Sequence, residues 1–112
     1  MKGTYLGEFE ELVLLSVGVL QQEAYGLAIK KELEDQTQRK VSISAVHASC
    51  NRLEEKGYLT SHFGEKTQKR GGRRKKIYAV SLPGQKALQR AQHIRKSLWD
   101  RLPPNAFTLD FA

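Results

Sequence analysis

The sequence is poor in residues that would crosslink the chain or place it in a membrane. It has one cysteine, Cys50, among 112 residues, so no disulfide can form within the chain, and we expect a reducing compartment. Its most apolar run, LVLLSVGVL at 12–20, falls well short of the roughly 20 residues that a membrane helix needs. No signal-peptide pattern opens the chain. We therefore expect a cytoplasmic protein without a membrane segment.

Motifs for catalysis and metal binding are also missing. No serine or cysteine is paired with a base in a recognisable pattern, and GGRR at 71–74 lacks the GK[ST] ending of a P-loop. His47 and Cys50 lie three residues apart on a predicted helix. Only His62 and His93 remain as further imidazoles, and there are no paired cysteines to complete a metal site. We expect no enzyme, no cofactor and no metal site.

Acidic residues are absent from a stretch that is rich in cations. From Lys66 to Lys76 the chain has seven Lys or Arg and no acid, while the other 12 cations match the 12 acids elsewhere. The net charge of +7 is thus concentrated in one segment, which favours a negatively charged partner over general solubility. A solvated flexible loop is the alternative. The segment contains Lys66, Lys69, Arg70, Gly71, Gly72, Arg73, Arg74, Lys75 and Lys76.

Three helices are predicted before this basic segment. Acids followed by apolar residues at helical spacing predict the first over 8–22, and an apolar face opposite charges predicts the second over 24–38. The third, at about 42–56, begins after Ser42, a favoured N-cap, and stops at Gly57. Its outward face has mainly small or uncharged groups that permit close approach to another molecule: Ser44, His47, Ala48, Asn51 and Arg52.

A hairpin and a last helix follow. Aromatic and β-branched residues at 58–65 and 76–82 predict two strands, with the basic segment, about 65–77, between them. Ser81 and Pro83 start a helix that extends to 102 and has little domain left to pack on, so its apolar stripe is expected to meet a second copy of the chain. The expected dimer interface comprises Ala91, Ile94, Leu98, Trp99, Leu102 and Phe9.

The order of elements predicts a mostly helical fold with a small β-hairpin. We assign 1–82 to a winged helix-turn-helix that binds DNA, 83–102 to a dimerisation helix and 103–112 to a tail. In such a fold a helix enters the major groove and the hairpin neutralises phosphates, so the third helix is expected to read bases and the basic segment to contact the backbone. Asn51 suits adenine, and Arg52 suits guanine or a phosphate.

Five stretches resemble the PadR family of transcriptional regulators: GEFEELVLLSV, EAYGLAIKKELE, VSISAVHASCNRLEEKGYLTS, GGRRKKIYAVSLPGQKAL and the last helix. The resemblance covers about residues 5–100, and RLEEKGYL and GGRRKKIYAVS keep the family's order and spacing. It implies a homodimeric repressor on a pseudo-palindromic operator in double-stranded DNA, with a small-molecule effector acting at or near the dimer interface. The family usually has a tyrosine where His47 stands and a leucine where Cys50 stands.

Trp99 has two interpretations. It is either an anchor of the dimer seam or, by the same resemblance, part of a cavity with Phe9 and Tyr5 where a flat effector stacks. Other functions also fit the fold: a module that binds proteins, a ligand sensor whose DNA binding is secondary, and an architectural DNA binder without sequence preference. The concentration of cations favours DNA over a protein partner.

Overall fold

The fold is a helical body with a two-stranded hairpin and a long last helix. The computed structural model describes residues 5–64 and 74–107. The helices are α1 (Glu8–Leu20), α2 (Gly26–Thr37), α3 (Ile43–Glu55) and α4 (Leu82–Asp100), and the strands are β1 (Leu59–Phe63) and β2 (Lys76–Val80). The strands pair antiparallel, with Leu59 opposite Val80. The predicted fold class, mostly helical with a small hairpin, is confirmed.

The core lies between the first three helices and the inner face of the hairpin. Each of these helices turns one apolar stripe inward, which is the pattern that periodicity predicts for an amphipathic helix. Tyr58, Leu59 and Tyr78 close the core on the hairpin side. The helices and the connection before α2 supply the remaining buried apolar residues: Val13, Leu14, Val17, Ala24, Ile29, Leu33, Val46, Cys50, Leu53 and Ala87.

The connection between α1 and α2 differs from the prediction. α1 stops before residue 21 because Gln21 takes a φ of 54°, outside the right-handed helical region, and a 3-10 turn follows. α2 starts later than residue 24 because Tyr25 is extended. The buried Ala24 between them accepts a 2.9 Å hydrogen bond at its carbonyl from the Tyr78 amide. This bond fixes the start of α2 to β2.

α3 begins and ends at the residues that the sequence predicts. The Ser42 hydroxyl accepts a 3.1 Å hydrogen bond from the Ala45 amide and so satisfies one of the free donors of the first turn. Gly57, with φ of 79°, lies just beyond the other end. The helix is therefore fixed in length by local chemistry, and packing decides only which way its faces point.

α4 is fixed to the body at its first turn. The Ser81 hydroxyl accepts a 3.1 Å hydrogen bond from the Gly84 amide and donates a 2.6 Å bond to the Gly57 carbonyl. A Cβ on Gly84 would overlap the Tyr58 carbonyl oxygen, so α4 can lie this close only with glycine at that position. Further along, the Arg95 guanidinium forms a 2.8 Å ion pair with Glu11 of α1.

The outer half of α4 projects from the body. Residues 92–100 are all exposed. The Cα radius of gyration is 17.4 Å, whereas a compact domain of this length would have about 13 Å. The longest dimension of the protomer is 66 Å. None of the helices in the described ranges is long and apolar enough to cross a membrane.

Candidate nucleic-acid interface

The exposed side of α3 combines a nearly uncharged centre with two different flanks. Because successive residues turn by about 100°, the core residues of α3 leave Ser44, Ala48 and Asn51 together on the opposite side. We call these three residues the α3 face. His47 is exposed on one flank of this face and Arg52 on the other. All five predicted readout residues are thus on the exposed surface of α3, but their surroundings differ.

On the His47 flank, a groove of about 700 Å³ separates α3 from the start of α2 and from β2. The imidazole lies over Gly26, since a Cβ there would be 2.7 Å from His47 Nε2. Glycine at this position therefore leaves room for the ring. The groove is lined by Tyr25, Gly26, Leu27, Ile43, His47, Asn51, Arg74, Lys75, Lys76 and Tyr78.

Three cations line this groove from the hairpin side. The ammonium of Lys76 forms a 3.2 Å ion pair with Glu54 of α3. Lys75 Nζ lies 4.0 Å from the centroid of the Tyr25 ring, in cation–π geometry. Within the described ranges, neither Arg74 nor Lys75 forms an ion pair with an acid. The groove therefore places positive charge that has no acid partner among the described residues beside the α3 face.

On the Arg52 flank, two cations are bound by one buried acid. Glu10 of α1 accepts hydrogen bonds from Arg52 Nε at 3.1 Å, from Lys56 Nζ at 2.8 Å and from the Gly7 amide at 3.1 Å. Arg52 Nη2 donates to the Ser49 hydroxyl at 3.0 Å. Burial alone would raise the pKa of Glu10, but these hydrogen bonds outweigh it, and its pKa lies below the ordinary value. Arg52 is therefore held toward α1.

The tip of the hairpin carries most of the predicted backbone contacts. The strands below it pair as far as a 2.8 Å hydrogen bond from the Gly64 amide to the Lys75 carbonyl. Six predicted residues lie outside the described ranges, and their contacts and turn conformation stay predictions: Lys66, Lys69, Arg70, Gly71, Gly72 and Arg73.

Apolar residues form an exposed stripe along the outer half of α4. Leu98 is 64% exposed and Trp99 67% exposed. The Trp99 ring lies 6.2 Å from that of Phe107, so the chain after α4 folds back on the helix end. Ile94 and Leu102 are also exposed, while Ala91 is half-buried.

The three aromatic residues expected to share a cavity do not meet within one protomer. Phe9 packs on the core and lines a groove formed with α2 and the start of α3. Tyr5 lines a separate groove of about 390 Å³ between the start of α1 and α4, together with Ile94 and Leu98. Within one protomer Phe9 is thus partly buried against the core, and its place in the dimer interface stays a prediction.

Cys50 is a core residue. It is fully buried, and desolvation raises the pKa of its thiol to about 12, so it stays protonated at neutral pH. Its neighbour Tyr78, with which it shares a hydrogen bond, has a pKa raised to about 12 for the same reason. Across the described ranges, no three His, Cys, Asp or Glu residues group closely enough to hold a metal ion.

Sequence reasoning missed Glu10, Tyr25 and Gly26. The only signal for Glu10 was an acid in the first turn of a helix, which the helix dipole explains equally well. Its partner Arg52 is 42 residues away, and a single sequence contains no sign of that contact. Tyr25 and Gly26 were assigned to the interior of α2, so their place at the groove was not foreseen.

The family model described as "Transcriptional regulator PadR-like family" matches residues 14–90. A PadR family transcriptional regulator from Eggerthella lenta is 27% identical with a TM-score of 0.63, and the match covers 83% of this chain and 80% of that one. The protein in the complex structure of hsRosR-S4, from H. salinarum, is 26% identical with a TM-score of 0.65. The match covers 83% of this chain and 73% of that one.

A PadR-like transcription factor from Bacteroides fragilis has a TM-score of 0.67 and covers 82% of this chain and 84% of that one, at 22% identity. An identity this low supports the fold alone. A search among curated proteins finds no match. The structural neighbours share the arrangement of helices and hairpin that positions the α3 face beside the cationic groove.

Proposed function

The chain belongs to the PadR-like family of transcriptional regulators, and from this premise we propose that it is a homodimeric repressor of a pseudo-palindromic operator. DNA binding and transcription regulation follow from the family. One observation of the structure supports our assignment of the DNA-binding surface, namely the groove that joins the α3 face to Arg74 and Lys75, two cations without an acid partner among the described residues. An uncharged helix face next to fixed positive charge is suited to base edges beside phosphates.

We assign the base contacts to the α3 face and to His47. Asn51 has both a donor and an acceptor on an exposed side chain at the groove, which suits a bidentate contact to adenine. Ser44 and Ala48 are small, so the backbone of α3 can come close to the base edges. Arg52 is bound to Glu10 and is the exception among the predicted readers.

We assign the backbone contacts mainly to Arg74, Lys75 and the cations of the hairpin tip, with only a small contribution from Lys76. Arg74 and Lys75 face the groove without an acid partner among the described residues, while Lys76 is shared with Glu54. With about four phosphate contacts in each subunit, a dimer would show a slope of log affinity against log salt of roughly −7.

We assign dimerisation to the segment 83–102, which contains most of α4, beyond a DNA-binding unit at 1–82. Ile94, Leu98 and Trp99 are all more than half exposed. A stripe of this kind on a small domain is typical of a surface that a partner subunit covers. The stripe also lines the groove beside Tyr5, where a small apolar effector would fit between α1 and α4. Trp99 at the helix end would contribute to such a site only across the dimer.

A DNA titration tests the proposal. We would measure fluorescence anisotropy of a labelled duplex from upstream of the protein's own gene and of a scrambled duplex of equal length, over a salt series. We expect tight, salt-dependent binding with strong preference for the native sequence. Equal binding to both duplexes would favour an architectural DNA binder, and no binding at low salt would contradict the DNA-binding surface.

A substitution in the stripe tests the dimer. We expect Leu98→Asp to give a monomeric mass in sedimentation, because a carboxylate would be buried without a partner in the seam. Leu82→Asp is the matched control, since Leu82 is an exposed leucine of the same helix outside the stripe. A dimeric mass for Leu98→Asp would contradict an α4 seam.

A further inference from the structure

We propose that Glu10 withholds Arg52 from DNA and so lowers the sequence-independent part of the protein's affinity for DNA. This inference rests on the proposed function, because it takes α3 as the helix that enters the major groove. Glu10 would then limit sequence-independent binding without touching DNA. It would do so by fixing the position of a neighbouring cation.

The hydrogen bonds around Glu10 hold the guanidinium in one place. Glu10 Oε2 accepts from Arg52 Nε at 3.1 Å, while Oε1 accepts from Lys56 Nζ and from the Gly7 amide. The Ser49 hydroxyl accepts from Arg52 Nη2 on the other side. Arg52 is therefore bound at two of its nitrogens, and both bonds direct it away from the α3 face.

Burial makes this arrangement persistent. The side chain of Glu10 is 9% exposed and that of Lys56 15% exposed, so their charges interact with little screening by water. A carboxylate at such a site binds its cations by charge-assisted hydrogen bonds and loses part of its compensation when one leaves. Arg52 is 54% exposed. Its hydrogen bonds to Glu10 and Ser49, and not burial, therefore keep it from reaching outward.

The position of Arg52 explains why its release would matter. It follows Asn51 directly and lies one helical turn beyond Ala48, at the edge of the α3 face. An extended guanidinium there would reach the phosphates that border the groove occupied by α3. Phosphate contacts strengthen binding to every sequence alike. Holding Arg52 back therefore lowers affinity for specific and random DNA alike and leaves the base contacts unchanged.

Glu10→Gln tests the proposal against a matched neutralisation, Glu11→Gln. Glu11 is the next residue, loses the same charge, and pairs with Arg95 on α4 rather than with α3. The probe is a labelled 30-base-pair duplex of scrambled sequence titrated from 50 to 200 mM salt. We expect Glu10→Gln to bind it more tightly than Glu11→Gln and to have a slope steeper by about 0.9 for each additional phosphate that the freed Arg52 reaches. Each such phosphate adds a roughly 3.5-fold affinity loss over that salt range.

Two further variants separate release of Arg52 from damage to the fold. Arg52→Gln in the wild-type background should leave the salt slope unchanged, because the wild-type arginine does not contact phosphate. Glu10→Gln combined with Arg52→Gln should return to the wild-type slope. A purely structural role for Glu10 would lower affinity for all DNA and would not steepen the slope.

The outcomes distinguish this inference from the function on which it rests. If Glu10→Gln and Glu11→Gln have the same slope, or if Arg52→Gln alone flattens it, the withholding of Arg52 is overturned while DNA binding stands. If the wild type binds neither the scrambled duplex nor the upstream duplex at 50 mM salt, the proposed function fails and the inference fails with it.

Discussion

The two flanks of α3 differ in what surrounds their cations. On the His47 flank, Arg74 and Lys75 face an open groove with no acid partner among the described residues. On the other flank, Arg52 and Lys56 are bound by the buried Glu10. Cations thus lie on both sides of α3, but only those on the His47 flank include residues without an acid partner among the described residues.

This difference shows that the number of cations near a surface does not measure the charge that the surface offers. A cation that already has a buried partner contributes little to the attraction of phosphate, since it would have to give up a strong bond to form a similar one. We call the His47 flank the open flank and the Arg52 flank the closed flank. The open flank is expected to contribute most of the affinity for DNA, and the closed flank to limit that affinity. Substitutions on each flank test this contrast.

The largest effect on affinity for DNA should come from removing the cations of the open flank. Replacing Arg74 and Lys75 together by Ala should lower affinity for specific and random DNA alike, and should change the salt slope of a dimer from about −7 to about −3.5. Anisotropy titrations over a salt series measure both. Lys76→Ala is the control, because Lys76 is shared with Glu54 and should change the slope little. Equal effects of Lys76→Ala and the double change would erase the distinction between free and paired cations.

A smaller loss, confined to specificity, is expected at the centre of the α3 face. Asn51→Ala should weaken binding to the preferred site by about 1–3 kcal/mol for each half-site and change affinity for the scrambled duplex little. Competition titrations with both duplexes give the ratio. A parallel loss on both duplexes would mean that Asn51 contacts phosphate and not bases.

Removing the Glu10 carboxylate from the closed flank should lower the free energy of unfolding in a pH-dependent way. Glu10→Gln should reduce the free energy of unfolding at pH 7 by about 1–3 kcal/mol, because it removes the carboxylate that compensates Lys56 and Arg52. Since the pKa of Glu10 is lowered in the folded protein, its contribution is present above the ordinary glutamate value of 4.5 and is lost as pH falls below it.

Urea unfolding from pH 7 to pH 3 therefore checks the role of Glu10. The wild type should lose more stability over the acid part of this range than Glu10→Gln does. Glu55→Gln, at a position with no ion pair among the described residues, should follow the wild type. Parallel curves for the wild type and Glu10→Gln would contradict a stabilising carboxylate.

The smallest effect is expected from moving His47 without replacing it. Gly26→Ala would place a methyl group 2.7 Å from His47 Nε2, so the imidazole must shift, and affinity for DNA should fall by a few-fold. Gly18→Ala is the control, because its methyl group would make an ordinary contact of 3.9 Å with Val80. That change should leave DNA binding alone and stabilise α1 by about 0.5–1 kcal/mol. An unchanged affinity for Gly26→Ala would remove His47 from the interface.

The sequence predicted those parts of the fold that depend on neighbours along the chain. Ser42 and Ser81 cap helices because their hydroxyls reach amides three residues on, and Gly57 lies where only a left-handed residue fits. The end of α1 was missed because Gln21, a residue with no preference for a positive φ, makes the turn. Local rules predict where an element is favoured but not where tertiary contacts cut it short.

For the candidate interface, periodicity predicted which residues of α3 are exposed but not what each one contacts. The rotation of about 100° per residue in an α-helix correctly separates the α3 face from the core residues Cys50 and Leu53. It could not reveal that Arg52 meets Glu10, because the packing of α1 against α3 decides that contact. For the same reason Phe9, which the sequence grouped with Trp99, packs on the core.

The attachment of α4 at Ser81 and Gly84 has a consequence for the geometry of an assembled dimer. α4 has 19 residues and is about 28 Å long, so a rotation of one degree at its base displaces the far end by about 0.5 Å. In a dimer joined through α4, the angle at which α4 leaves the body would set the separation of the two α3 helices. That separation must match half-sites about 34 Å apart. The bases recognised and the distance between them would thus be controlled by different residues. A change at Gly84 would alter the operator spacing that the protein accepts while leaving the sequence of each half-site the same.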